Sequence, residues 1–345
     1  MKNSKKTFRF PSLSDQSGSV LILTAWSVSL LGMISIIFGS SSLFSLATMN
    51  RLNDGLESYA LARASVPYVL EALNNKDKTE SFDGLSDTWR LGGEMLFREQ
   101  PLGDGVFSVS FASAGSHSTS QVTQFGVRDE ESRLNLNTAT TDTLKNLFAL
   151  ITELKITEME ALADCIADWR DADSDKSPDG AEESEYLSKR PSYEPKNGDF
   201  ESVEELLLVK GMTPALFSKV SPFVTVYGSG KVNINTASKY VLMALGLSEN
   251  GADAVLFYRL GNDGIEGTED DAAAQNVNAI AGEIGKYLSF EDLNILGGLI
   301  AQDALTVQSE AFAFTAEGKS EMSEYPVIIE CVLKRSGEIL AWQEN

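Results

Sequence analysis

At 345 residues the chain has room for a sizeable core and two domains. Fifty acidic residues against 28 basic ones give a net charge of −22. Such a surface repels phosphate backbones, which argues against a nucleic-acid partner, and it attracts divalent cations. Two cysteines and one histidine are too few for a disulfide framework or a zinc site. Cys165 and Cys331 read as separate buried thiols. His117, in the turn-like SAGSHSTS, reads as a solvated loop residue, so histidine-based catalysis has no support.

The amino terminus carries Lys2, Lys5, Lys6 and Arg9 with one acid, Asp15, and no charge occurs from Gln16 to Asn50. The apolar run Val20 to Phe38 is 19 residues, or roughly 28 Å of helix, about one hydrocarbon core. It is longer than the core of a secretory signal, about 7–15 residues. The basic leader should stay cytoplasmic, with the rest of the chain outside. Three readings stand: a signal cut after the run, an uncut anchor, or a prepilin cut before the run, after Gly18. Leu52, Leu56, Tyr59, Arg63, Val66 and Leu70 extend the helical spacing. One long helix and an anchor followed by a separate soluble helix both fit, and Pro67 is expected to kink the helix or cap a break.

A polar stretch from Asn74 to Trp89 precedes strand signals. In GVFSVSFAS, Phe107, Val109 and Phe111 alternate with serines, and Gln121 to Val127 is a second strand candidate. Strand patterns resume at Glu310 to Gly318 and at Tyr325 to Gln343, the latter a hairpin turning at Arg335–Glu338. Between them, residues 129–304 are mainly helical. Strands at both ends of a helical block predict an α+β fold with a helical domain inserted in an antiparallel sheet. The expected divisions are 1–18, 19–75, 76–128, 129–304 and 305–345.

The helical block contains an internal echo: RLNLNTA from Arg133 and KVNINTA from Lys231 each precede a helix. Asn137 or Thr138, and Asn235 or Thr236, are the candidate caps. FESVEELLLVKGMTPALFSKV reads as a helix, a hairpin at Gly211, and a second helix from Thr213-Pro214. These are marks of helix-hairpin-helix units. The DNA-binding form needs a Gly-x-Gly hairpin to hold a phosphate. Neither Asn-Thr-Ala repeat is followed by one, so a structural use is expected. A membrane-anchored DNA receptor of competence type is the alternative.

Asp168 to Tyr186 holds eight acids and two bases in 19 residues. Hard oxygen ligands at alternating positions suit calcium. With Asp171 as the first position, Asp173, Asp175, Asp179 and Glu182 copy the acid spacing of an EF-hand. Lys176 stands where that motif needs glycine, and Pro178 follows, so a calcium loop of its own geometry is expected. Its candidate ligands are these five acids with Glu183. A second loop, Gly261 to Asp271, offers Asp263, Glu266, Glu269, Asp270 and Asp271, as a second site or as a polar turn. These acids lie in wet loops with no apolar pocket to raise a pKa. No Gly-rich phosphate loop, Gly-x-Ser-x-Gly elbow or His-Glu-x-x-His occurs. An enzyme is not expected.

SGSVLILTAW, DTW followed by LGDGVFSVSF, DEESRLNLNTA, the acidic loop, FESVEELLLVKGM and KVNINTA occur in this order. In that order and spacing the chain resembles the K-type minor pseudopilins of type II secretion, the general secretion pathway protein K family. The resemblance implies a pilin-like fold: a long amino-terminal helix on an antiparallel sheet, with the helical domain inserted. It implies calcium in the acidic loop. It implies a place at the tip of a periplasmic pseudopilus with other minor pseudopilins, reached through a prepilin peptidase and the inner-membrane secretion platform. Cleavage would fall between Gly18 and Ser19, removing a leader of net +3. Ser19 stands where pilins carry a methylated Phe or Met. Leu23, fifth in the mature chain, stands where most pilins carry Glu; members of this family resemble the chain in that.

Overall fold

A computed structural model describes residues 16–75, 81–114 and 121–344. The leader Met1–Asp15 and His117 lie outside the described residues. The chain divides into two compact units, residues 1–56 and 57–345.

Helix α1 (Gln16–Asn74) opens the fold as one continuous element of 59 residues, and Pro67 does not break it. In the first unit its side chains from Val20 to Leu52 are exposed. Among the described residues it is the one helix long and apolar enough to cross a membrane. Its hydroxyls are satisfied within the helix: Thr24 donates to the Leu21 carbonyl at 2.9 Å, Ser35 to Leu31 at 2.9 Å, and Thr48 to Phe44 at 2.9 Å. Back-bonding of this kind is what makes serine and threonine tolerable in lipid.

The second unit begins with the end of α1. Ser58, Ala62, Ser65, Val69 and Leu73 are fully buried there, at spacings that place them on one helical face. Small residues on that face let the backbone approach the sheet closely. A Cβ added to Gly318 would run into the Ala62 amide and the Ser58 carbonyl, and one added to Gly105 would strike Leu61. Ser320 N donates to Ser58 Oγ at 3.1 Å across the same contact. Gly318→Val should therefore destabilise the fold by about 3 kcal/mol, the upper range for an overfilled site whose neighbours are backbone; urea denaturation of the detergent-solubilised chain measures it. Equal midpoints for variant and wild type would refute this contact.

Short helices α2 (Thr88–Leu91) and α3 (Gly93–Phe97) lead to strands β1 (Gln100–Leu102), β2 (Gly105–Ala114), β3 (Gln121–Phe125) and β4 (Arg128–Asp129). The insert then holds β5 (Leu134–Asn135), α4 (Thr141–Ile151), α5 (Ile156–Arg170), α6 (Glu183–Leu187), α7 (Pro214–Val220), β6 (Val224–Thr225), β7 (Val232–Asn233), α8 (Lys239–Ala244), α9 (Glu249–Arg259), α10 (Val277–Ile284), α11 (Phe290–Ala301) and β8 (Leu305–Thr306). The chain closes with β9 (Ala311–Ser320), β10 (Val327–Lys334) and β11 (Ile339–Glu344).

The main sheet is antiparallel, in the order β1-β2-β9-β10-β11. β2 and β9 pair only as far as Ser110 and Thr315. Beyond that point β3 takes over on β2 and β4 on β9, so the segment entering the insert fills the gap the two strands leave. The sheet core gathers Trp89, Phe97, Phe107, Val109, Phe312, Phe314, Ile329 and Leu333 against α1. Tyr68 of α1 meets Phe107 edge-on at 5.3 Å. A second core fills the insert. Cys165 belongs to the insert's core and Cys331 to the sheet's; both are free. Burial pushes their thiols up, to about 11 and about 12.

The insert is built twice. β5 pairs parallel with β6, and β7 parallel with β8. In each copy the first asparagine folds the motif on itself: Asn135 Oδ1 accepts from Asn137 N at 2.9 Å, and Asn233 Oδ1 from Asn235 N at 3.0 Å. That turn moves the helix start three residues on. The caps are Thr140, accepting from Thr143 N at 3.1 Å, and Ser238, accepting from Val241 N at 3.4 Å; they are not Asn137, Thr138, Asn235 or Thr236. Asn137 instead clamps both backbone groups of Phe200 at 3.0 and 2.8 Å. Asn235 clamps those of Ala274 at 3.0 and 2.8 Å. At the end of the second helix Arg170 donates to the Leu136 and Ala139 carbonyls, and Arg259 to those of Ile234 and Ala237. Of the third expected piece, Val203–Leu208 is 3₁₀ rather than α; Gly211 turns at φ +93°, and Thr213 caps α7.

Buried acids join insert and sheet. Asp129 Oδ2 accepts from Asn233 at 3.1 Å, Thr236 at 2.5 Å and Ser309 at 2.7 Å, while Oδ1 accepts from Glu131 N at 2.8 Å. Glu131 accepts from the amides of Ser229, Glu310 and Ala311. Glu130 pairs with Arg133 and, at 3.1 Å, Arg128, and accepts from Thr225 at 2.5 Å. Through Asp129 and Glu131 the chain entering the insert is thus tied to the chain leaving it at 309–311, while Glu130 joins β4 to β6 through Arg128 and Thr225.

Candidate metal centre

The first acidic loop hangs from the end of α5. Asp168, fully buried in the last turn, accepts from Ser177 N at 3.2 Å and Ala181 N at 2.8 Å, drawing the loop back under the helix. Gly180 has to be glycine there, since its Cβ would fall on the Asp168 carboxylate. Asp173 Oδ1 accepts from Asp175 N at 2.8 Å, an Asx turn that sharpens the bend. Lys176 and Glu185 close the far side at 2.5 Å.

This folding brings three acids together. Asp171, Asp173 and Glu182 each place one oxygen within 4.8 Å of the others. Asp171 Oδ1 and both carboxylate oxygens of Glu182 are buried without a hydrogen-bond partner. Burial, with the neighbouring carboxylates, holds both groups above the usual carboxylate range. A further residue tied to the loop, Asn197, was not legible in the sequence. Asn197 lies outside the loop at φ +47°. Its Nδ2 donates to the Asp173 carbonyl at 3.3 Å, and its Oδ1 is likewise buried without a partner. Orphaned buried oxygens of this kind are what a hard divalent cation satisfies.

The other expected ligands are not brought into this group. Asp175 spends its amide on the Asx turn and is exposed. Asp179 is exposed, its amide donating to Asp164 Oδ2 at 3.3 Å. Glu183 is exposed in the first turn of α6. The EF-hand spacing is present, but the pull of Asp168 at Ser177 and Ala181 gives the backbone a different path.

The second loop turns its aspartates largely on itself, with Asp271 Oδ1 left buried without a partner. Asp270 accepts from the amides of Asn262 at 2.7 Å and Asp263 at 3.1 Å, and from the Thr268 hydroxyl at 2.7 Å. Asp271 accepts from Gly267 N at 2.6 Å, and Asp263 from Ile265 N at 2.7 Å. Glu269 is exposed and Glu266 half-buried. Among the described residues, no group of three ligand atoms converges here as one does in the first loop; of the two readings, the geometry is that of a polar turn.

Helix, sheet and duplicated insert define a pilin-like fold that carries a helical domain with three acids gathered in one loop. Residues 132–229 match the family model for type II secretion system protein K. The Pseudomonas aeruginosa type II secretion system protein K is 33% identical over 159 residues, covering 42% of this chain and 46% of that protein. The chain thus spans under half of that relative. The Aeromonas hydrophila protein K is 27% identical over 70% of this chain and 75% of the relative. A chain in the crystal structure of the GspK–GspI–GspJ complex from enterotoxigenic Escherichia coli shares the fold. Its TM-score is 0.62 at 18% identity, covering 88% of this chain and 99% of that one. The chain is thus similar to type II secretion system protein K, most specifically over residues 132–229.

Proposed function

We propose that this protein is a minor pseudopilin at the tip of the type II secretion pseudopilus, acting in assembly rather than in chemistry. The observation that carries the reading is the topology: a pilin-type helix and sheet interrupted between β4 and β9 by a duplicated helical domain, in a fold shared with a chain of the E. coli GspK–GspI–GspJ complex. Its partners would be pseudopilins of the kinds crystallised there, GspI and GspJ. Helix α1 would anchor the subunit in the inner membrane, with the body in the periplasm, and would then pack against partner helices. With Leu23 in place of an acid, α1 has nothing to neutralise the amino terminus of a subunit above it; a buried unpaired ammonium is costly, so the subunit suits the tip. The insert would block further addition.

Calcium would be held by Asp171, Asp173 and Glu182, with Asn197 as a further oxygen donor, and it would supply positive charge to clustered carboxylates that otherwise repel. The alternative of a competence-type DNA receptor gains nothing from the fold comparison.

The deciding experiment is the intact mass and amino-terminal sequence of the membrane-extracted protein. A mature start at Ser19 supports the reading, and Gly18→Glu should block that cut and leave the chain starting at Met1. A wild-type start at Met1, or one beyond Phe38, overturns it.

A further inference from the structure

Residues 57–344 carry four strongly exposed aromatic side chains among those described, and three lie together in the second half of the insert. Phe257 on α9 is 67% exposed, Tyr287 after α10 54%, and Phe290 at the start of α11 81%. Phe257 and Tyr287 meet edge-on at 6.5 Å, and Lys286 Nζ lies 4.6 Å over the Tyr287 ring. α10 packs on α9 and on α11, and Phe290 follows Tyr287 by three residues, so the three aromatics fall on adjoining elements. The inner sides of the same helices bury Val255, Leu256, Ile280, Ile284 and Leu296, so the core does not use these aromatics. They also lie outside the stretch matched by the family model. Solvent-facing aromatics gathered on one face mark an interaction surface.

Charge selects the occupant. Residues 249–292 contain ten acids and two bases. Asp271 and Asp292 are buried, and Glu249 and Asp253 pair with Lys239, which leaves Asp263, Glu266, Glu269, Asp270, Glu283 and Glu291. One of the two bases, Arg259, is buried on the Ile234 and Ala237 carbonyls. Lys286 is the one exposed cation of that segment. A second copy of this chain, an anionic lipid surface or a nucleic acid would each be repelled. We propose that the outer face of α9, α10 and α11 docks a basic segment of a partner protein, whose apolar side chains seat on Phe257, Tyr287 and Phe290 while its cations face the surrounding acids and aromatic rings. The proposal does not rest on the secretion reading.

The test uses the full chain in phosphatidylcholine nanodiscs and a fluorescent peptide of six alternating lysine and phenylalanine residues, with a glutamate–phenylalanine counterpart. Anisotropy should show the lysine peptide binding at least tenfold more tightly to the wild type than to Phe257→Ser/Phe290→Ser. Both residues are exposed, so the variant should fold. Lys286→Glu should tighten binding severalfold, and 0.5 M salt should weaken it. Equal affinity for wild type and both variants, equal binding of the glutamate peptide, or binding fully accounted for by protein-free nanodiscs would overturn the proposal.

Discussion

Calcium is expected to raise the melting temperature of the wild-type chain, and Asp173→Ala combined with Glu182→Ala to abolish that rise. The three carboxylates Asp171, Asp173 and Glu182 lie within ligand distance of one another, and no hydrogen bond satisfies the Glu182 oxygens. A cation present at 100 times its dissociation constant stabilises the folded state by about 2.7 kcal/mol. In a chain of this size that is a rise of roughly 5 °C in Tm. The sign reverses without metal: in excess chelator the double variant should melt at or above the wild type, because the buried Glu182 carboxylate and the Asp173 charge that repels it are gone. Asn197→Ala should retain part of the calcium shift. Asp263→Ala with Glu269→Ala should retain all of it, since the second loop is closed by its own amides. No shift in the wild-type protein would sink the metal assignment, and a shift lost only in the second-loop variant would move it there.

The parts of this fold legible in the sequence were those with a period. The uncharged run and its three- and four-residue continuation marked the helical stretch but left one helix or two open, which the structure resolves as the single α1, and the alternation of Phe107, Val109 and Phe111 gave β2. The hairpin at Arg335–Glu338 was readable because Gly337 supplies the left-handed turn, at φ +92°. Where a side chain bonds its own neighbourhood, pattern reading failed. Asn135 and Asn233 look like the approach to a cap, yet each closes an Asx turn and passes the cap to Thr140 and Ser238. Ligand choice in the acidic loop failed for a related reason. Spacing treats the loop as an arc, whereas Asp168 pins it at Ser177 and Ala181. Asn197 carries no local signal, because tertiary folding alone delivers it to Asp173. The paired arginines did leave one: each copy ends its second helix in an arginine directly before an acidic loop, Arg170 and Arg259.

The largest single-residue loss should come from Glu130→Gln. Glu130 is fully buried, and burial alone would favour its neutral form. The charges of Arg133 and Arg128 and the Thr225 hydroxyl outweigh this and hold the carboxyl down at about 2. Its ionised form therefore adds stability that is complete above the ordinary value of 4.5 and is lost as pH falls from there toward about 2. That contribution is about 3 kcal/mol, at 1.36 kcal/mol per pKa unit. Glutamine removes it and leaves the Arg133 guanidinium buried without its partner, a loss of about 3–5 kcal/mol. Urea midpoints between pH 3 and 7 should then fall least steeply toward acid in the variant. Adding Arg133→Met should recover part of the loss, because the stranded charge is gone. Asp129, next in the chain, runs the other way: burial and the nearby Glu131 charge push its carboxyl up, so its ionisation costs stability as pH rises through its raised value. Asp129→Asn should nevertheless destabilise, by about 1–3 kcal/mol, because an amide cannot accept from Asn233, Thr236, Ser309 and Glu131 together. If Glu130→Gln matched the wild type's acid limb, the ion pair would not be what ties the insert to the sheet.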